Sequence, residues 1–216
     1  MSKDLSNYRK KYVKGELNEN DLPDNPIVLF SKFFNIIDAN KSERELNAMS
    51  LSTVDTKGFP STRIVLLKKY SDLGFVFFTN YNSKKGKDIL NNPNVCLSFY
   101  WPSVEQQVII KGKAFKISEV DSSDYFKSRP EGSKLGAIVS NQSEVISSRE
   151  LLYNRLESLK SSNAELKRPK NWGGFIVKPF SMEFWQGKDN RLHDRIVYEN
   201  KSDKGWRFYR LSPWKG

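Results

Sequence analysis

The sequence predicts an α+β fold that is mainly β, a β-barrel with helices at its periphery. Three observations carry that prediction. From Ala48 onward the chain breaks into short runs rich in β-branched and aromatic residues, separated by turn chemistry such as Asp55-Thr56-Lys57-Gly58 and Ser71-Asp72-Leu73-Gly74. The helical stretches fall between groups of strands, without the regular alternation that a parallel βαβ sheet needs. At 216 residues the chain can bury a substantial core, and it holds no internal repeat, low-complexity tract or compositional shift to mark a boundary. The expectation is a polar N-terminal arm over 1–24, mobile unless something holds it, then a single domain over 25–216.

The first helix opens at Asn25-Pro26, with asparagine as N-cap and proline at the first helical position. Phe30, Phe33, Phe34 and Ile37 then recur at the spacing of one apolar stripe. Strands are expected over Met49 to Val54, Thr62 to Lys68, Phe75 to Thr79, Val95 to Trp101 and Gln107 to Phe115. A short helix, Ser83 to Leu90, lies between the third and fourth. After Ser118 the pattern turns helical: Glu119 to Ser128, a break at Pro130, then a segment to about Val139. Ser147-Ser148-Arg149-Glu150 matches a capping box opening a long polar helix with Leu152, Leu156 and Leu159 on one side. Ser161 to Asn171 reads as loop. Strands resume over Gly174 to Lys178, Met182 to Gln186, Arg195 to Glu199 and Trp206 to Leu211, the last two joined by a turn around Ser202 to Gly205.

Thirty-six Lys and Arg against twenty-five Asp and Glu leave a net charge of +11, which brings phosphate-bearing partners forward: nucleic acid, anionic membrane or small phosphorylated metabolites. Cys96, the single cysteine, cannot form an internal bridge and is expected as a buried thiol in Val95-Cys96-Leu97. One Cys and one His exclude a zinc site built from such side chains within one subunit, and no metal is expected. A Ser-His-Asp triad would have to use His193, whose neighbour Asp194 points to the opposite face of an extended chain. No window approaches the roughly 18 apolar residues of a membrane span. Met1 to Asn20 has no apolar core of the signal-peptide kind, so a cytoplasmic protein is expected.

Neither a G-x-G-x-x-G fingerprint nor a Walker loop is present, so phosphate must be held by side chains. Four places carry suitable groups. Arg63-Ile64-Val65-Leu66-Leu67-Lys68 is an apolar run with a cation at each end; on a regular strand the two would face opposite ways and serve two anions, or simply snorkel from a core strand. Thr79 to Lys85 leads into a helix start, where free N–H groups favour an anion and lysines are misplaced without one, unless the run is a solvated charge face. Tyr125, Arg129 and Ser133 bracket the break at Pro130, either a phosphate pocket or an ordinary loop. Glu183-Phe184-Trp185-Gln186-Gly187, then Arg191-Leu192-His193-Asp194-Arg195, gathers two aromatics, two arginines and the one histidine. An Arg-x-His pair shares one face of an extended chain and suits a planar anionic ring, although a lone histidine near a strand start also has structural uses.

These residues resemble the pyridoxine (pyridoxamine) 5′-phosphate oxidase family. The likeness rests on Phe184-Trp185-Gln186-Gly187 and Arg191-Leu192-His193-Asp194-Arg195. It continues through Arg63 to Lys68, Thr79 to Lys85, Glu105-Gln106-Gln107, Tyr125 to Ser133 and Val139-Ser140-Asn141-Gln142-Ser143, and runs from Arg9 to the last strand. The resemblance implies an FMN-binding split β-barrel, a homodimer with FMN at the subunit interface, and oxidation of pyridoxine or pyridoxamine 5′-phosphate to pyridoxal 5′-phosphate by O2, with H2O2 released. It implies FMN contacts from Arg63, Ile64, Val65, Leu66, Leu67, Lys68, Phe78, Thr79, Lys84, Lys85, Gln107, Gln142, Ser143, Trp185 and Arg195. It implies a substrate phosphate among Lys68, Tyr125, Arg129 and Ser133, Arg191 and His193 over the pyridine ring as the catalytic pair, and Arg9 and Tyr12 closing from the arm. Two departures stand out: Lys84 replaces a frequent Arg, giving up a bidentate fork, and Phe78 replaces a frequent Tyr. The alternatives are another split-barrel flavin oxidoreductase, such as a flavin reductase or an F420-type enzyme, and a basic nucleic-acid-binding barrel. The scattering of the basic residues speaks against the second.

Overall fold

A computed structural model describes residues 2–41, 43–162, 164–201 and 205–213. In chain order the helices and strands are α1 (Pro26–Asn40), β1 (Ala48–Val54), β2 (Pro60–Leu66), β3 (Lys69–Ser71), β4 (Gly74–Asn80), α2 (Lys84–Asn91), β5 (Asn94–Trp101), β6 (Gln106–Lys116), α3 (Glu119–Ser128), α4 (Glu131–Val139), α5 (Arg149–Ser161), β7 (Trp172–Gln186), β8 (Asp194–Asn200) and β9 (Trp206–Arg210). The strands hydrogen-bond in the order β2-β1-β5-β6-β7-β4-β3, with β8 also on β7 and β9 on β8. The chain forms two compact units, one of Met1–Met49, Leu97–Lys111 and Pro179–Gly216, the other of Ser50–Cys96 and Gly112–Lys178. Every crossing between them falls inside a strand.

In the first unit the Asn25 side chain caps α1 by accepting from the Ile27 N–H at 2.8 Å, as expected of Asn-Pro. The stripe of α1 buries Phe30, Phe33 and Ile37. Phe30 meets Phe99 edge-on and Phe33 meets Phe184 edge-on, at 5.3 and 5.5 Å between ring centres. The arm is held. Val13 and Lys14 donate their backbone N–H groups to Glu105, Leu17 donates to Asp194, and Arg210 bonds Glu19 and the Leu17 carbonyl. In the second unit β4 pairs antiparallel with β7 from Phe75↔Val177 to Asn80↔Trp172, and Phe75, Phe77, Phe126 and Phe175 form its buried centre.

Several expectations are corrected. The strand expected over Thr62 to Lys68 ends at Leu66, and the short β3 was not foreseen. The two strands expected over 174–178 and 182–186 are one, running through Pro179. Residues 172–177 pair with β4 and 181–186 with β8, so Pro179 falls between these two ladders. Cys96 is half-buried, because alternation along β5 buries Val95 and Leu97 on one face and turns Cys96 to the other. The Ser147 capping box does not form: Ser148 is the N-cap of α5 and makes no side-chain cap bond, its contact being with Glu150. Of the expected turn at Ser202 to Gly205, residues 202–204 lie outside the described residues.

Candidate active site

Within the second unit a cavity of about 1070 Å³ is lined by Arg63, Ile64, Val65 and Leu66 of β2 and by Lys68 just beyond it. Phe78 and Thr79 line it from β4, Lys84 and Lys85 from the start of α2, Tyr125, Arg129 and Ser133 from the junction of α3 and α4, and Gln142 and Ser143 from the segment after α4. No carboxylate lies among these residues, against five cations. Arg63 and Lys68, expected on opposite faces, line the same cavity because β2 stops before Lys68 and the chain turns into β3. Leu67 is buried and takes no part in the lining.

The cations are held in two ways. Arg63 donates from Nη1 to Thr53 at 2.7 Å and to the Leu51 carbonyl at 3.2 Å. Thr53 donates to Asp88 at 2.7 Å, and Asp88, together with Asp55, takes the Lys84 ammonium at 3.5 and 3.6 Å. Lys85 is different. It is 7% exposed, and among the described residues its ammonium reaches hydroxyls only, Thr79 at 3.3 Å and Ser83 at 3.5 Å. Burial, and then the nearby Arg63 charge, push its pKa below the usual lysine value. A desolvated ammonium with no carboxylate beside it fits an anion that arrives from outside.

The helix that presents Lys84 and Lys85 is set tightly. Ser83 caps α2 by accepting from the Gly86 N–H and donates to the Asn80 carbonyl at 2.6 Å. A Cβ on Gly86 would lie 2.2 Å from the Tyr81 carbonyl oxygen, so only glycine lets the helix approach this turn.

At the α3–α4 junction, Pro130 forces Arg129 into an extended backbone, φ −71° and ψ 147°, as the sequence predicts. Its guanidinium lies 4.7 Å from the Trp172 ring centre, its Nη1 is buried with no hydrogen-bond partner among the described residues, and burial lowers its pKa. An orphaned buried guanidinium nitrogen, like the Lys85 ammonium, is chemically suited to an anionic ligand. Phe78 stacks on Tyr125 at 3.8 Å and on Trp172 at 5.5 Å. Trp172 was missed by sequence reasoning; it follows directly on a stretch read as loop, and only its pairing with Asn80 brings it to the cavity.

The other candidate residues belong to the first unit. Tyr12, Trp185 and His193 form an aromatic cluster, with ring centres 5.6 Å apart for Tyr12–Trp185, 5.4 Å for Tyr12–His193 and 4.8 Å for Trp185–His193. Tyr100 is hydrogen-bonded to Tyr12. His193 Nδ1 accepts the Lys188 N–H at 3.1 Å, which fixes the tautomer with the proton on Nε2. Burial, then the Arg191 charge, lower the His193 pKa against the opposing pull of Asp194 and so favour the neutral ring. Arg191 is exposed and lies in a left-handed turn, φ 62°, before β8 begins. The shared extended face expected for Arg191 and His193 is therefore absent; a strained turn presents Arg191 instead. Arg195 is ion-paired with Glu183 at 2.7 Å, Gln107 is half-buried on β6, and Arg9 stands in solvent with its side chain on the Ser6 carbonyl.

Residues 38–162 match the family described as pyridoxamine 5′-phosphate oxidase, and residues 172–213 match the pyridoxine 5′-phosphate oxidase C-terminal dimerisation region. The chain belongs to the pyridoxamine 5′-phosphate oxidase family. A protein of Flavobacterium psychrophilum named pyridoxine/pyridoxamine 5′-phosphate oxidase is 55% identical over 213 residues, covering 98% of this chain and 100% of its own. One of Christiangramia forsetii with the same name is 52% identical, over 99% and 100%. Among solved structures, PhzG of Burkholderia lata, in complex with tetrahydrophenazine-1-carboxylic acid, is 28% identical with a TM-score of 0.85, covering 90% of this chain and 95% of its own. A pyridoxamine 5′-phosphate oxidase-related, FMN-binding protein of Nostoc punctiforme shares the fold, with a TM-score of 0.68 at 16% identity over 85% and 96%. The pyridoxamine 5′-phosphate oxidase fold, a split β-barrel with peripheral helices, is the fold class that the sequence predicts.

Proposed function

We propose that this chain is an FMN-dependent oxidase that converts pyridoxine 5′-phosphate and pyridoxamine 5′-phosphate to pyridoxal 5′-phosphate with dioxygen as acceptor. One observation carries the reading: a cavity with five cations and no carboxylate, in which a buried Lys85 and a buried Arg129 nitrogen both lack an anion. The two sit in separate settings, one at the start of α2 and one at the α3–α4 break, which suits two phosphorylated ligands. Relatives above 50% identity bear the oxidase name, whereas PhzG stands at 28%.

The residues present fit FMN. Arg63, Thr79, Lys84, Lys85 and Gln142 would hold its phosphate side, leaving Lys68, Tyr125, Arg129 and Ser133 for the substrate phosphate. Held there, FMN would supply a two-electron acceptor for the hydride that leaves C4′ of the substrate and a route for both electrons to dioxygen, which would be released as hydrogen peroxide. Tyr125 and Arg129 position: the guanidinium is stacked on Trp172, so its free Nη1 meets a phosphate oxygen at little entropic cost. His193 holds its proton on Nε2 and offers it as a donor to the substrate ring, while Arg191 contributes a permanent charge that orients it. For the amine, water hydrolyses the oxidised carbon–nitrogen product and ammonia leaves. Trp185, Arg191, His193 and Arg195 all lie in the stretch matching a dimerisation region, which supports a homodimer with FMN at the subunit interface.

The test mixes purified FMN-loaded protein with pyridoxine 5′-phosphate under anaerobic conditions. Loss of the oxidised-flavin absorption, then peroxide and aldehyde on admitting air, is the expected result. A flavin that stays oxidised with this substrate and with the amine refutes the proposal.

A further inference from the structure

Glu105 has no part in the chemistry above, yet it is buried at 8% exposure and sits at φ 60°, a conformation that a side chain of this size adopts only when its surroundings impose it. Its Oε2 accepts two consecutive backbone N–H groups from the arm, Val13 at 2.7 Å and Lys14 at 2.9 Å. Its own carbonyl accepts from the Gly187 N–H at 2.8 Å and from the Gln186 side chain at 3.2 Å. One residue thus ties the arm, immediately after Tyr12, to the end of β7, immediately after Trp185. Tyr12 is fitted to this place: a Cβ on Gly187 would fall 2.7 Å from its ring.

We propose that Glu105 is the positioning residue that seats Tyr12 of the arm against Trp185 and His193, and so sets affinity for the phosphorylated substrate. The inference rests on the oxidase reading for its kinetic consequence, but not for its structural one. The chemistry is specific to a carboxylate. Paired N–H donors on one anionic oxygen form charge-assisted bonds about twice as strong as neutral ones, and because they come from the backbone they hold the arm without engaging the Tyr12 side chain. Lys14 adds a bond from Nζ to the Ser103 carbonyl at 2.5 Å, which holds the same two strands of chain together from outside.

Hydrogen exchange of the arm and steady-state kinetics on the FMN-loaded protein test this in Glu105→Ala and Glu105→Gln. In Glu105→Ala the amides of Val13 and Lys14 are expected to exchange roughly ten- to a hundredfold faster. KM for pyridoxamine 5′-phosphate should rise about tenfold while kcat holds, the signature of lost uniform binding. Glu105→Gln keeps an acceptor oxygen and should fall between, which preserves the test if the alanine variant folds poorly. Unchanged exchange in both variants overturns the latch. Faster exchange with unchanged KM, or with kcat falling as far as kcat/KM, overturns its role in substrate binding. A wild-type protein that never reduces its flavin sinks the oxidase reading alone, because exchange is read without turnover.

Discussion

Replacing Lys85 by methionine separates a ligand-binding lysine from a structural one by the sign of two changes. In the protein without FMN, the ammonium is buried against two hydroxyls at 3.3 and 3.5 Å, distances at the limit of hydrogen bonding. Methionine fills the same space without a charge to desolvate, so the apoprotein is expected to hold its stability or gain about 1 kcal/mol, a rise of roughly 2–4 °C in melting temperature. Binding of FMN changes the other way. A hydrogen bond to a charged group contributes about 1.5–3 kcal/mol, so FMN should bind roughly 10- to 150-fold more weakly. Calorimetry of the apoprotein and a flavin-fluorescence titration give the two numbers. The pH dependence adds a third. Because burial and Arg63 lower the folded-state pKa of Lys85 below the usual 10.5, the unfolded chain binds more protons between those two values and apoprotein stability rises with pH there. The wild-type minus Lys85→Met difference should climb across that window and be flat below it. An apoprotein that loses more than about 1 kcal/mol while FMN affinity is unchanged would refute the reasoning.

Other outcomes follow from the same geometry. Arg191→Gln removes a charge that lowers the His193 pKa, so the imidazole should titrate at higher pH; the chain has one histidine, and its NMR signal reads the shift without ambiguity. Gly187→Ala places a methyl group against the Tyr12 ring, and should raise KM severalfold while costing less than about 1 kcal/mol, since the arm can yield; an unchanged KM would mean that Tyr12 is not seated when substrate binds. Gly86→Ala meets backbone that cannot yield, 2.2 Å from the Tyr81 carbonyl oxygen. It should cost about 1–3 kcal/mol, visible as a lower melting temperature even without ligand.

Much of the site could be read from local chemistry. Asn25-Pro26 starts α1 where it should, and Pro130 holds Arg129 extended at the end of α3. The cations of 63–68 and 83–85 do line one cavity, since signals of this kind act over a few residues and travel with the chain. The family itself was visible in spaced motifs from Arg9 to the last strand. Glu105 belongs to the motif Glu105-Gln106-Gln107, but nothing near it in sequence announces that its partners are 91 and 92 residues away.

What the chain alone determined, then, is which groups are present and how the backbone bends beside them: a basic protein without a phosphate-binding glycine loop, with prolines and caps that place its helices. Tertiary structure decided which groups meet. Lys68 joins Arg63 in one cavity because β2 ends early, Trp172 reaches Arg129 because β7 pairs with β4, and Cys96 turns outward because its neighbours on β5 are buried. The physical reason is that strand register and burial are set by a partner strand far along the chain, and no window of sequence contains both members of that pair.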